Sequence, residues 1–410
     1  MENSKKVAIN TLAQYLGKGV SIVTSILVTM LLTRSLGVSS YGHYVLVLNI
    51  IMFGNAIAEW GMTFIATREA SKSNKEHIWF DSLFSTRIST GLLAAIILGL
   101  FWNRWASEVD VRVGIVAITL LLLLAIKSWL QVVFQTQMSL WKLTIVDTIS
   151  TVFFGLLIAW LGFINAVSLF NVIFSLVASA LISVITGLIF IYKSKYRLKL
   201  QFNPQITKKL IYESMVMGAV LVIFSIYNRV DVFMLRAIRG DFEVGIYGLA
   251  YKIYENVIIG AAFFANSLFP LLSKKSSSEV DFKRVLTKSL LLLGTGGFGF
   301  AVITWILAPF MVEVLGGPEY VGAILALRWL CIPILFAYIN HGLGYATIAL
   351  GKQRVSAAIA CSGLAVNLFA NYLLIPKFGF VAAAAVTGVT EGTVMLFTSI
   401  YLWRRFFSRS

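Results

Sequence analysis

Lys18, Arg87, Lys127, Arg229, Lys252 and Arg328, together with Glu59, Asp147, Asp231, Glu255 and Glu391, lie inside long apolar runs of a 410-residue chain. A charge left bare at the centre of a bilayer costs at least about 2.5 to 3.5 kcal/mol, so each such group needs a partner, a cavity or a charged ligand. Cations in this setting suit an anionic ligand, phosphate above all. Acids in the same setting suit a coupling cation that binds and leaves. Mutual neutralisation of the bases by the acids is the competing explanation for every one of them.

Spacing separates some of these roles. Thr11, Gln14, Lys18, Ser21, Ser25 and Thr29 follow steps of three and four, which places them on one stripe of a helix. A polar stripe of that length implies water or substrate beside it. Shorter stripes join Lys127, Gln131 and Gln135; Asn55, Glu59 and Thr63; Asn367 and Asn371; and Thr387, Glu391 and Thr398. Lys252 and Glu255 stand at i, i+3 and can neutralise each other, whereas Arg229 and Asp231 at i, i+2 point apart and need other partners. Tyr247, Tyr251 and Tyr254 form a helical row whose two readings are an interfacial aromatic belt, the commoner use, and stacking against sugar rings.

The elements that must hold these residues are membrane helices. Hydrophobic residues make up 59% of the chain and charged ones 13%, with a mean hydropathy of +0.86, whereas soluble domains carry about a quarter charged residues. The expected fold is an all-α integral membrane protein of about twelve transmembrane helices. Apolar runs of spanning length fall near 10–33, 43–66, 81–102, 112–136, 143–162, 166–191, 211–236, 243–271, 285–308, 320–349, 355–375 and 380–402. Pro333 is the one proline well inside a run, where a kink is expected. Cys331 and Cys361 sit in apolar runs and read as small core residues.

The net charge of +16 is concentrated in alternate loops, at Lys5 and Lys6, Arg68 to Lys75, Lys142, Lys193 to Lys209, Lys274 to Lys288, Lys352 and Arg354, and Arg404 to Arg409. The positive-inside rule then places both termini in the cytoplasm. Basic residues scattered through short loops beside lipid make nucleic acid a poor partner. The three histidines are dispersed, so no metal site is expected, and Gly294 to Gly299 lack the strand that a phosphate loop requires. No cofactor is implied, beyond coupling to a Na+ or H+ gradient, and no loop is long enough for a separate catalytic domain, so the chain does not read as an enzyme.

A spacing repeats across the two halves. Gly37, Gly42 and Tyr44 recur as Gly240, Gly245 and Tyr247, each set following an apolar run that ends in arginine, Arg34 or Arg236. One hairpin at the same place in both halves indicates a duplication of six helices, related by an axis along the membrane normal. The halves are expected at 1–192 and 210–410, joined by a basic cytoplasmic linker at 193–209.

Several of these stretches carry a family resemblance: Arg34-Ser35-Leu36-Gly37, Tyr41-Gly42-His43-Tyr44, Glu59-Trp60-Gly61-Met62 with Arg68-Glu69-Ala70, and Asn228-Arg229-Val230-Asp231 followed by Val244-Gly245-Ile246-Tyr247 and Ala250-Tyr251. The chain resembles bacterial polysaccharide flippases, within the wider group that includes multidrug and toxin extrusion proteins and lipid II flippases. The matching stretches cover the first two spans and the seventh and eighth. The resemblance implies two six-helix bundles around a cavity that opens alternately to either side of the bacterial cytoplasmic membrane. It also implies an undecaprenyl-pyrophosphate-linked oligosaccharide carried from the inner to the outer leaflet, membrane lipids as surroundings, and polysaccharide polymerase machinery as a partner.

In that setting Lys18, Lys127, Arg229 and Arg328 would face the pyrophosphate, with Gln14, Asn228, Tyr251 and Lys252 as further substrate contacts. Glu59, Asp147, Asp231 and Glu391 are the candidates for ion coupling. Drug extruders of this group typically carry an acid in the first span, where this chain has Lys18, so an anionic substrate is favoured. The alternatives are an ion-coupled drug or metabolite exporter of the same fold and, from another class, a membrane-embedded sugar polymerase or ligase, which calls for a larger outer loop. Nothing resembles the selectivity filter of a channel.

Overall fold

The computed structural model describes residues 2–73, 75–193, 196, 199, 201–275 and 278–407, and within them omits the side chains of 2–12, 105, 216, 217, 220, 224, 270 and 407. The side chains of Lys5, Lys6 and Thr11, and residues Lys195, Arg197 and Arg409, therefore lie outside the described residues.

The described chain is built of α1 (Glu2–Glu59), α2 (Met62–Lys72), α3 (Glu76–Trp105), α4 (Val111–Thr136), α5 (Leu140–Phe163), α6 (Leu169–Tyr192), α7 (Pro204–Tyr227), α8 (Val230–Arg239), α9 (Asp241–Lys275), α10 (Glu279–Gly316), α11 (Gly322–Ala349) and α12 (Gln353–Phe407), with one 3-10 turn at Pro318–Tyr320. No strand occurs among the described residues. Only helices satisfy every backbone group internally in lipid without closing a barrel. Nine of the described helical stretches are long and apolar enough to cross a membrane. Two of them bend, α1 at Gly37 and α12 at Gly379, and each contributes a pair of spans. Counting the broken pair α7 and α8 as one more span gives the expected twelve. Exposed Leu100, Phe163, Phe298 and Phe310 are the lipid-facing surface of such a fold.

The seventh span is not the continuous helix that its hydropathy predicts. It stops at Tyr227 and restarts at Val230, with Arg229 at φ −138°, ψ −10°. Pro333, by contrast, does not interrupt α11, which runs through it from Gly322 to Ala349.

The chain divides into two compact units, one formed by residues 1–36 and 43–225 and the other by 37–42 and 226–410. The first unit includes the 193–209 linker and α7 as far as Ser225, which the sequence assigns to a connector and to the second half. Local contacts explain why. Lys209 donates to Glu69 on α2 at 2.6 Å and Arg68 to Glu213 on α7 at 2.5 Å. The linker is tied to Asp81 on α3 by the Tyr196 hydroxyl at 2.5 Å and the Lys199 amide at 3.0 Å. Burial, and then its bond to Asp81, pushes the Tyr196 phenol above its ordinary range. The bond that Lys209 donates to Glu69 likewise raises Lys209. Apolar packing completes this end of the unit, where Trp129 is fully buried among Met62, Phe80 and Leu210 and donates its indole N–H to the Phe80 carbonyl at 3.0 Å.

The six residues that the second unit takes from α1 are the first copy of the repeated hairpin. Gly37 has φ 72°, ψ 169° and its counterpart Gly240 has φ 86°, ψ −179°. Both lie in a region essentially closed to residues with a Cβ. Gly317 repeats it at φ 77°, ψ −169°, again five residues ahead of a glycine, Gly322. The later glycines of the two hairpins serve close approach. A Cβ on Gly42 would lie 2.0 Å from the Asp241 carbonyl oxygen, and one on Gly245 would lie 2.1 Å from that of Val38. Each hairpin thus presses its second glycine onto the residue that follows the first glycine of the other.

Candidate functional site

In the second unit, two carboxylates, on α8 and α12, are held by hydroxyl and amide donors from α7, α9 and α11. Asp231, in the first turn of α8, is 3% exposed and accepts a short hydrogen bond from the Tyr247 hydroxyl on α9. That hydroxyl also lies 3.3 Å from Thr387 Oγ1 on the second limb of α12. One turn further along α12, Glu391 accepts from the Tyr227 hydroxyl at the end of α7 at 3.0 Å and from Asn340 Nδ2 on α11 at 2.6 Å. The break after Tyr227 lets the seventh span deliver both Tyr227 and Asp231 to this region.

The tyrosine row belongs to this site and not to an interfacial belt. Tyr247 is fully buried and Tyr254 is 2% exposed, and the rings of Tyr247, Tyr251 and Tyr254 follow one another at 5.4 Å between centroids. A row anchored in headgroups would keep its hydroxyls in water. Asn371 donates to Asn367 at 3.0 Å and Asn367 to Thr390 at 3.4 Å. The amide oxygens of Asn371 and Asn340 are left buried without a hydrogen-bond partner among the described residues. Two carboxylates with leftover amide oxygens are the hard oxygen donors that a small cation takes, although the donor set alone does not fix one coordination shell. Lys252 and Glu255, further along α9, approach to 3.9 Å.

In the first unit the predicted charges are largely spent on one another or on the backbone. Lys127 on α4 and Asp147 on α5 form an ion pair at 2.7 Å, which joins a predicted substrate contact to a predicted coupling acid. Glu59 accepts from the amides of Gly61 at 2.9 Å and Thr63 at 3.0 Å and so builds the corner into α2, where Trp60 and Gly61 adopt positive φ. Arg87 is 1% exposed, with Nε donating to Ser128 at 2.8 Å and its two terminal nitrogens unpartnered among the described residues. Lys18 and Gln14 are exposed on α1. The hydroxyls of Ser21 and Thr29 in the same stripe turn back onto carbonyls of their own helix.

Asn228 and Arg229 occupy the break before α8, beside Asp231. Arg328 lies apart from these groups, on α11 with its guanidinium 4.8 Å from the Trp305 ring centroid.

The sequence profile of a family described as polysaccharide biosynthesis protein matches residues 4–276, two thirds of the chain. The chain belongs to this family. Among curated relatives, the capsular polysaccharide biosynthesis protein CapF of Staphylococcus aureus is 27% identical over 227 residues, covering 53% of this chain and 56% of CapF. The chain thus spans little more than half of that relative. The fold is that of solved transporters: a lipid II flippase, MurJ, in an inward closed conformation aligns with a TM-score of 0.77 at 13% identity, over 96% of this chain and 87% of its own. An inward-facing multidrug resistance MATE family transporter of the MOP superfamily gives 0.79 at 9% identity, over 93% and 94%.

In this chain, Tyr227, Asn340 and Thr387 are the site residues that sequence reasoning did not single out as such. Thr387 was visible, since it stands one turn before Glu391 in a polar stripe. Tyr227 and Asn340 carry no local signal, because their relation to Glu391 exists only once α7, α11 and α12 are packed together.

Proposed function

We propose that the protein is a flippase for an oligosaccharide linked to undecaprenyl pyrophosphate, moved from the inner to the outer leaflet by alternating access and coupled to a cation gradient. The observation that carries the reading is the pair Asp231 and Glu391 inside an apolar bundle of a polysaccharide-biosynthesis chain, each held by neutral donors where a cation can compete. Membership of that family supports a glycan substrate, and the names borne by CapF and MurJ point the same way. In this reading Lys18, Gln14, Asn228, Arg229, Tyr251 and Lys252 contact the pyrophosphate or its sugars. Lys127 has its Asp147 partner to give up first, and polymerase machinery receives the product.

Reconstitution in liposomes with a fluorescent undecaprenyl-pyrophosphate sugar tests it by leaflet exchange. Exchange is expected to fall about tenfold or more in Arg229→Ala and Lys18→Ala, as for loss of a charge-assisted contact to phosphate. Collapse of the Na+ or H+ gradient is expected to slow the wild type and to leave Asp231→Asn unchanged at its own lower rate. Exchange indifferent to both substitutions and to both gradients would remove the reading.

A further inference from the structure

A cleft of about 560 Å³ lies between α10 and α11 of the second unit. Its walls are apolar side chains, with Phe298, Val302 and Trp305 on α10 facing Leu335, Ile332 and Arg328 on α11 in antiparallel register. Most of them are exposed at the surface that a membrane protein gives to lipid. Arg328 is the one basic or acidic side chain among the lining residues, and its buried Nε has no hydrogen-bond partner among the described residues. Its guanidinium is held over the Trp305 ring at 4.8 Å, a contact that orients the cation without neutralising it.

We propose that this cleft binds one anionic phospholipid, with its phosphate on Arg328 and an acyl chain along Val302, Phe298, Ile332 and Leu335. An arginine in a lipid-facing cleft recruits an anion when, as here, no carboxylate lines the walls to neutralise it. The single positive charge matches the single negative charge of a phosphodiester, whereas a pyrophosphate would leave excess charge in an apolar site. Direction along the helices agrees: Arg328 lies about 9 Å from the start of α11 at Gly322, within snorkelling reach of headgroups. The apolar walls continue away from that end toward mid-membrane. The volume is in the range of a ligand site, about 300 to 1,000 Å³. This site is independent of the transport reading.

Native mass spectrometry of the full chain in detergent, titrated with phosphatidylglycerol or phosphatidylcholine of identical chains, tests the proposal. One retained phosphatidylglycerol is expected, bound about tenfold tighter than phosphatidylcholine, and Arg328→Gln is expected to abolish the preference. Equal retention of the two lipids, or an unchanged preference in Arg328→Gln, overturns it. So does displacement of phosphatidylglycerol by an equimolar polyprenyl phosphate, which would assign the cleft to a carrier lipid. Should Arg328→Gln fail to purify, Ala301→Trp decides, since it fills the cleft from α10 and keeps the arginine. Loss of the retained phosphatidylglycerol supports the site, and undiminished retention overturns it.

Discussion

Asp231 is a carboxylate whose environment was only half legible in the sequence. Its charge inside an apolar run, two residues from Arg229, marked it as functional, but the donor that holds it, Tyr247, arrives from the next helix of the chain and looked like one ring of an aromatic belt. Tyr247→Phe keeps the buried ring and leaves the carboxylate without that donor, which costs about 1 to 3 kcal/mol. A clear drop in melting temperature in detergent is expected. Tyr251→Phe is expected to leave the melting temperature near that of the wild type, because the structure gives Tyr251 ring contacts and no hydroxyl bond to either acid. Equal loss in the two variants would mean that ring packing, and not the hydrogen bond, stabilises this corner.

At the scale of elements, the repeated glycines announced a duplicated turn, and the structure assigns two different tasks to them. Gly37 and Gly240 are required by backbone conformation, Gly42 and Gly245 by backbone approach. Gly42→Ala and Gly245→Ala each place a Cβ against a carbonyl oxygen that no rotamer change can move. Either is expected to destabilise by more than the roughly 1 to 3 kcal/mol of ordinary overpacking, read as a lower midpoint of thermal aggregation. Gly299→Ala, on α10 with open space around its Cβ, is expected to match or exceed wild type by about 0.4 to 1 kcal/mol.

The linker is the complementary case. Its basic composition marked it only as a cytoplasmic connector, whereas Lys209, Arg68, Glu69 and Glu213 bind one another across α2 and α7. The charge reversal Glu69→Lys is expected to raise the rate of proteolytic nicking near residue 201, and Glu69→Lys with Lys209→Glu to restore part of the protection. No restoration by the double variant would show that the pair does not hold the linker. Hydropathy could reveal neither arrangement, since it registers the length of a helix and is blind to which loop folds back on which.

For the whole molecule, span count and loop charge were readable from the sequence because lipid imposes them residue by residue: a helix must be long and apolar, and lysine and arginine are retained on one side. The division into units was not readable to the residue, since six residues of α1, and α7 as far as Ser225, cluster with the opposite half from the one that sequence order suggests. The charge pattern nevertheless makes a topological prediction that does not depend on where that division falls. The loop between α3 and α4 carries Glu108 and Asp110 and is flanked by Arg104 and Arg112, close to neutral overall, and Asp110 is held below its usual range by the Arg112 side chain. The loop between α2 and α3 follows Arg68 and Lys72 and contains Lys75. In a cysteine-free background, Ser107→Cys is therefore expected to react with an impermeant maleimide in intact cells, and Ser73→Cys only after permeabilisation. The reverse pattern would turn the molecule over. It would also require the basic linker that docks on Asp81 to sit outside the cell, where anionic headgroups and the positive-inside bias would give no reason for its composition.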